Sequence, residues 1–82
     1  MMQDTRSFRE IWLSLNLVER MELKRTIVKA EVVSEKTVRN WAYKERYPLS
    51  MSIRLKATKV VEKFMGCKMS HVTLFPYRAK TQ

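Results

Sequence analysis

Residues 24–49, KRTIVKAEVVSEKTVRNWAYKERYPL, contain two apolar runs of helical period with a short turn between them. The apolar side of the first run is supplied by Ile27, Val28 and residues 30–33, and that of the second by Val38, Trp41 and Ala42. Ser34 follows the first run directly, and its hydroxyl is placed to accept a hydrogen bond from the backbone N–H of Thr37. The stretch therefore predicts two short helices joined by a turn, with the second helix at about residues 35–44.

The turn and the second helix carry a short motif, S-x-x-T-V-x-x-W, followed by a basic loop that contains a proline. In this chain the motif residues are Ser34, Thr37, Val38 and Trp41, and residues 44–48 form the basic loop. This arrangement resembles the helix-turn-helix of the Cro and C1-type repressor family over about a third of the chain. The resemblance implies an all-α DNA-binding domain and a small, repressor-like transcriptional regulator of a phage or mobile element.

Two positions depart from the pattern of that family. Its members usually carry a small residue in the middle of the first helix and a glycine at the turn, where this chain has Val28 and Val32. A β-branched residue is disfavoured in the left-handed conformation that a glycine adopts. We therefore expect either a turn of different geometry or a first helix that runs further into the turn.

Polar side chains cover the surface of the second helix that is left after its apolar face is buried. A helix fits the major groove of duplex DNA, where the base edges differ in their hydrogen-bond donors and acceptors. By this geometry and by the resemblance, we expect base contacts from Glu35, Lys36, Arg39 and Asn40. The side chains expected to hold DNA phosphates flank them and are Lys24, Ser34, Thr37, Tyr43, Lys44 and Arg46.

The charge of the chain favours the same partner. Seventeen Lys and Arg residues stand against eight Asp and Glu residues, which gives a formal net charge of +9. Residues 1–23 contain three basic and four acidic residues and sum to −1, so residues 24–82 carry +10. Such a field attracts polyanions, which makes double-stranded DNA the expected partner. A merely solvated basic face and an anionic membrane surface are the alternatives.

Composition and length indicate the fold class. The chain has 82 residues, of which 45% are hydrophobic, with one Gly and two Pro. Good helix formers and few turn residues predict an all-α protein, a compact bundle of four or five helices that contains the helix-turn-helix and has a short extended C-terminal tail. This length suffices for one core, so we expect one domain at residues 1–76 and a flexible basic tail at residues 77–82.

Two further helices are predicted before the motif. Asp4 or Thr5 is expected to cap the first, which runs to about Leu15 and buries Phe8, Ile11, Trp12 and Leu15. Asn16 with Glu19 forms a capping box for the second, which runs from Leu17 to about Glu31. Leu17, Val18, Met21 and Leu23 are expected to contribute to its buried side. A break near residues 21–23 is the alternative.

After the motif, residues 42–49 are expected to form a loop in which Pro48 extends the backbone. A helix capped by Ser50 or Ser52 then runs to about Met65, and Gly66 ends it in a left-handed cap. Its buried stripe is Ile53, Ala57, Val60, Val61 and Phe64, while Arg54, Lys56, Lys59 and Lys63 are expected in water. Leu74 and Phe75 are expected to pack back onto the core, as the resemblance implies. Residues 72–74 could instead form a short strand, pairing with a second copy.

Several ligands and functions are not expected. Cys67 and His71 have the spacing of half a zinc site, but no second pair exists, so both are assigned to packing or to the surface. No carboxylate pair, phosphate loop or nucleophile motif indicates an enzyme, a cofactor or a small-molecule ligand. No stretch is apolar enough to span a membrane, so a cytoplasmic protein is expected.

The mode of action leaves several possibilities open. A homodimer is plausible because a useful DNA site normally needs two half-sites. A different class of function is that of a helical adaptor whose basic face binds an acidic protein. Non-specific nucleic-acid binding is a third possibility, for which Tyr43 and Tyr47 are the candidate stacking residues.

Overall fold

A computed structural model describes residues 3–30 and 32–77 of the chain. Every named element in these ranges is a helix, in the order α1 (Phe8–Ser14), α2 (Leu17–Lys29), α3 (Glu35–Lys44), α4 (Met51–Met65) and α5 (His71–Leu74). The predicted all-α class and the number of helices are therefore confirmed. Of the predicted tail at residues 77–82, all but Tyr77 lies outside the described residues.

A capping box starts each of the first two helices. The side chain of Ser7 accepts a hydrogen bond from the backbone of Glu10, whose carboxylate accepts one in return from the N–H of Ser7. Asn16 and Glu19 make the same reciprocal pair at the start of α2, as predicted. The prediction that Asp4 or Thr5 caps α1 was wrong. Asp4 instead accepts hydrogen bonds from the backbone and guanidinium of Arg6.

Helix α2 is continuous, so the alternative of a break near residues 21–23 was wrong. It ends at Lys29, earlier than predicted, and residue 31 lies outside the described residues. Arg20 joins this helix to the end of α1, because its guanidinium donates to the carbonyl oxygens of Trp12 and Leu13. The carbonyl oxygen of Trp12 also accepts from the N–H of the C-cap Leu15, so the guanidinium is a second donor at the end of α1, where a cation is favourable.

The predicted burial of the first turns of α2 was also wrong. Leu17 is 70% exposed and Val18 65% exposed, and nearly half of Met21 is exposed. Only Leu23 and Ile27 of this helix are fully buried. The apolar residues before Leu23 therefore extend past the core rather than into it, which the period of the sequence alone does not reveal.

The connection between α2 and α3 avoids a left-handed valine. Among the described non-glycine residues, only Glu45 has a positive φ, at 52°. The N–H of Val32 donates to the carbonyl oxygen of Ile27 at 3.4 Å. The end of α2 at Lys29 excludes the expectation that the first helix runs further into the turn.

The N-terminal cap of α3 is the predicted one. The hydroxyl of Ser34 accepts a hydrogen bond from the N–H of Thr37 at 3.4 Å and lies 3.1 Å from the hydroxyl of Thr37. Helix α3 covers residues 35–44, which confirms the predicted bounds of the second helix. The prediction that the following loop starts at residue 42 was wrong, because residues 42–44 are helical and the loop begins at Glu45.

Three rings form the centre of the core. Trp41 packs edge-on against Phe8 and Phe75, with centroid distances of 5.5 and 5.0 Å. Phe8 and Phe75 stack at 5.8 Å, and Trp12 lies beside Phe8. The predicted core roles of Trp12, Trp41 and Phe75 are confirmed, since each is at most 4% exposed. Helices α1, α3 and the C-terminal segment therefore meet at one aromatic cluster.

The main correction in α4 concerns Arg54, which was expected in water but is 1% exposed. Its guanidinium donates to the carbonyl oxygens of Pro48, His71 and Phe75 and to Nδ1 of His71. It also lies over the ring of Tyr77, 4.0 Å from the centroid. A buried guanidinium is tolerable because carbonyl groups take up its N–H donors. Arg54 thus joins α4, α5 and the loop that follows α3.

The C-terminal segment contains a helix and not the alternative strand. Ser70 caps α5 through its side chain, and Leu74 and Phe75 are fully buried, as predicted. Gly66 ends α4 with φ 72°, which confirms the left-handed cap. Ser50 occupies the N-cap position of α4 but makes no side-chain cap hydrogen bond.

Candidate nucleic-acid interface

Helix α3 separates its side chains into a buried face and a polar face. Val38, Trp41 and Ala42 are buried against the rest of the molecule. Lys36, Arg39, Asn40 and Tyr43 follow at spacings of three, four and seven residues, so they share one face of the helix. Asn40 is half-buried, about half of Tyr43 is exposed, and Lys36 and Arg39 are exposed. The packing of Trp41 therefore fixes which way the polar row points. We call Lys36, Arg39 and Asn40 the α3 row.

The side chains of the α3 row have no hydrogen bond or ion pair with any other part of the chain that the structure describes. Five other cations are engaged, namely Arg6 with Asp4, Arg9 with Glu45, Lys24 with Glu35, and Arg20 and Arg54 with backbone carbonyl groups, whereas several exposed lysines and arginines elsewhere in the described ranges are as free as the α3 row. Unpaired donors on a rigid helix are ready to bind a ligand without first breaking an internal contact.

One predicted base contact and one predicted phosphate contact are paired with each other. Nζ of Lys24 lies 3.2 Å from Oε1 of Glu35, across the gap between α2 and α3. Glu35 is at the first position of α3, where a carboxylate also interacts favourably with the helix dipole. The pair fixes the start of α3 against α2. Glu35 is therefore not an unpaired acceptor like the amide of Asn40.

The hydroxyl groups at the start of α3 are occupied as well. Ser34 and Thr37, both predicted to touch phosphate, contact each other through their side-chain oxygens. Ser34 is exposed and Thr37 is half-buried. Their local role is the helix cap, and it leaves the hydroxyl of Ser34 at the surface beside the α3 row.

Tyr43, at the end of the polar face, is held by a residue that sequence reasoning assigned only to the core. Nε1 of Trp12 donates a hydrogen bond of 2.9 Å to the hydroxyl oxygen of Tyr43, and the two rings meet edge-on. The hydroxyl still has its own hydrogen to donate. Half of Tyr43 remains exposed, so α1 fixes the direction of a surface hydroxyl group.

Lys44 is the last residue of α3 and Arg46 lies in the loop that follows; both are exposed, on either side of Glu45. Glu45 ends the helix in the left-handed conformation, and the N–H groups of Glu45 and Arg46 both donate to the carbonyl oxygen of Asn40. Further along, Arg54 holds the carbonyl group of Pro48 at 2.7 Å. The position of the two cations is therefore set at both ends of the loop. No sequence signal pointed to Arg54 as the anchor.

The groups with shifted pKa values are Asp4, Arg6 and Cys67, which contact one another near the N-terminus. Hydrogen bonds from Arg6 hold the pKa of Asp4 below its usual value. Burial, together with the carboxylate of Asp4, raises the pKa of the Cys67 thiol. A thiol with a raised pKa stays protonated at neutral pH and is a poor nucleophile. His71, the other residue of the rejected half zinc site, accepts a hydrogen bond from Arg54.

In residues 3–30 and 32–77, no three His, Cys, Asp or Glu side chains are grouped so as to hold a metal ion. Within the same ranges, none of the helices has the length and apolar character needed to cross a membrane. Comparison of the chain with protein-family models, with curated proteins and with solved structures finds no match.

Proposed function

We propose that this protein binds double-stranded DNA in a sequence-specific manner and that α3 enters the major groove as the second helix of a helix-turn-helix. The observation that carries the proposal is the α3 row, whose cationic and amide side chains are unpartnered on a helix fixed by the buried Trp41. An α-helix fits the major groove, and these residue types are the ones that most often read base edges there.

Each side chain of the α3 row has a chemical role in this proposal. The guanidinium of Arg39 and the ammonium group of Lys36 donate to the O6 and N7 acceptors of guanine. The amide of Asn40 both donates and accepts, so it pairs with adenine in two hydrogen bonds. Each such pair contributes about 1–3 kcal/mol of discrimination against other bases. Glu35 is a further candidate, as an acceptor for cytosine, at the cost of its contact with Lys24.

The side chains around the row would hold the DNA backbone. Lys44 and Arg46 are placed to neutralise phosphates beyond the end of α3, and Lys24, Ser34 and Thr37 do so at its start. The hydroxyl of Tyr43 donates to a phosphate oxygen while it accepts from Trp12. These contacts set affinity and register and make binding depend on salt, without reading the sequence.

Regulation of transcription, by repression, is the biological role that we propose for this activity. It rests on the resemblance of the motif to Cro and C1-type repressors, which also suggests a phage or mobile element as the source. One copy covers a short half-site, so we further propose that two copies bind adjacent half-sites about one helical turn apart.

Selection from a random pool of DNA duplexes tests the proposal. The wild-type chain and an Arg39→Ala, Asn40→Ala variant are each used to enrich sequences from the same pool. The matched control, Lys59→Ala with Ser52→Ala, removes one charge and one polar group from the exposed surface of α4. The proposal predicts one enriched motif for wild type and control, and none for the α3 variant. Enrichment of the same motif by all three proteins would contradict it.

A further inference from the structure

A second surface with a definite chemistry lies between α2 and α4. Two adjoining cavities of about 560 and 370 Å³ share the lining residues Thr26, Ala30 and Phe64 and form one shallow groove. Val60 and Phe64 line it on the α4 side, and both are half-buried. The floor is therefore apolar and open to solvent. We call this feature the α2–α4 groove.

The rims of the α2–α4 groove are cationic. Arg25 and Lys29 stand on the α2 side and Lys63 stands on the α4 side, and all three are exposed. None of the three makes an ion pair with the described part of the chain. Glu22, at one end, is the single acidic residue among those lining the groove. The potential above an apolar floor is thus positive.

We propose that the α2–α4 groove binds an acidic amphipathic helix of a partner protein. Two packed helices leave a groove between them into which a third helix places apolar side chains spaced at three, four and seven residues. Phe64, Val60 and Ala30 supply the complementary apolar surface. Glutamate or aspartate on the flanks of that helix pairs with the cationic rims, which favours acidic over basic partners.

The shape of the floor distinguishes this partner from a nucleic acid. Proteins that bind single strands use exposed aromatic rings on which successive bases stack. Phe64 is the one ring in the groove's lining and is only partly exposed, beside an aliphatic valine and alanine. A leucine-rich helix face matches such a floor better than a planar base does.

The α2–α4 groove and the α3 row lie on different sides of α2. Lys24 points from α2 toward Glu35 of α3, whereas Thr26 and Ala30 point toward Phe64 of α4. Arg25 and Lys29 lie between these two sides, because they also line a cavity beside Lys24 and Glu35. This inference does not depend on the proposed DNA binding.

Fluorescence anisotropy with a labelled synthetic peptide tests the inference. The probe is a helical peptide with leucine on one face and glutamate on the others, and a second peptide replaces leucine by alanine. Wild-type protein is compared with the double variant Lys29→Glu/Lys63→Glu. The control is the double variant Lys56→Glu/Lys68→Glu, which carries the same change of net charge outside the groove. Thermal melts establish that each variant is folded; if one is not, glutamine is introduced instead of glutamate in both double variants.

The inference predicts saturable binding of the leucine peptide by wild type, weakened about tenfold by the groove variant and much less by the control. The alanine peptide should bind weakly to all three proteins. Equal losses in both variants, or equal binding of both peptides, would overturn it, because binding would then reflect overall charge. Groove-dependent binding of oligothymidylate without binding of the peptide would also overturn it and assign the groove to nucleic acid.

Discussion

Replacement of Arg54 by methionine should remove much of the stability of the domain. The guanidinium donates to Pro48 at 2.7 Å, to the carbonyl group of His71 at 3.0 Å and to its Nδ1 at 3.1 Å, and it also donates to the carbonyl group of Phe75. Hydrogen bonds to a charged group contribute about 1.5–3 kcal/mol each. The cost of burying the cation, several kcal/mol, offsets part of that total. Removing the guanidinium leaves the carbonyl groups of Pro48 and Phe75 without this donor, and each unsatisfied buried acceptor costs about 1–3 kcal/mol, or about 2–6 kcal/mol together.

Urea denaturation at 25 °C, followed by tryptophan fluorescence, measures this loss. With an m-value of about 1–2 kcal/mol/M, a loss of about 2–6 kcal/mol lowers the urea midpoint of the variant by at least about 1 M. Lys56→Met is the matched control, because Lys56 is an exposed cation on the same helix and should change stability by less than about 0.5 kcal/mol. An Arg54→Met variant as stable as this control would refute the assignment of Arg54 as the anchor of the C-terminal segment.

Three further predictions concern single residues at the surface. Because Arg6 lowers the pKa of Asp4 in the folded protein, this pair stabilises the fold fully above the unfolded pKa of 3.8, and the stabilisation is lost as the pH falls through the lower folded pKa. Asp4→Asn should therefore reduce the loss of free energy of unfolding between pH 7 and pH 3, measured by urea titration at both pH values. Tyr43→Phe should cost about 1 kcal/mol, since it leaves Nε1 of the buried Trp12 without its acceptor, and should also weaken DNA binding; an unchanged urea midpoint would argue against that hydrogen bond. If the only role of Glu35 is its ion pair with Lys24, Glu35→Gln should raise the affinity for a mixed-sequence duplex by about threefold in an anisotropy titration. A loss of sequence preference in the random-pool selection, without that gain in affinity, would indicate that Glu35 reads a base.

Capping rules correctly predicted those helix ends where a nearby side chain or a glycine satisfies the backbone. Asn16 with Glu19, Ser34 with Thr37, and Gly66 were each identified from a side chain that satisfies or relieves the backbone within a few residues. The same rule applies to Ser7 and Glu10, which have capping-box spacing, but the cap was predicted at Asp4 or Thr5. The carboxylate of Asp4 instead pairs with Arg6.

Long-range packing was less accessible from the sequence. The apolar period of α2 predicted burial for Leu17 and Val18, yet the core covers only the later turns of that helix. Arg54 lies three and seven residues before the buried Ala57 and Val61 and shares their face, but its charge led to the expectation that it lies in water, and its burial depends on carbonyl groups of distant segments. Periodicity identifies which side chains share a face, but the neighbours of that face are set by the tertiary fold.

The surface position of the α3 row could be predicted from the sequence, but the contacts that Lys24, Glu35 and Tyr43 make within the molecule could not. The α3 row follows from the position of Trp41 in the helix, which the motif supplied. The ion pair between Lys24 and Glu35 and the hydrogen bond from Trp12 to Tyr43 join separate helices. Such contacts depend on how the helices cross, for which no local pattern exists.

The most direct test of the account is the ratio of affinities for a selected duplex and for its scrambled version. The ratio is measured by fluorescence anisotropy at two salt concentrations for three proteins: wild type, the double variant Arg39→Ala/Asn40→Ala, and the double control Ser52→Ala/Lys59→Ala. Two base contacts of about 1–3 kcal/mol each predict that the ratio falls at least tenfold in the α3 variant and is unchanged in the control. An equal ratio for all three proteins, or no salt-sensitive binding of duplex by the folded wild type, would contradict the proposal that α3 reads DNA.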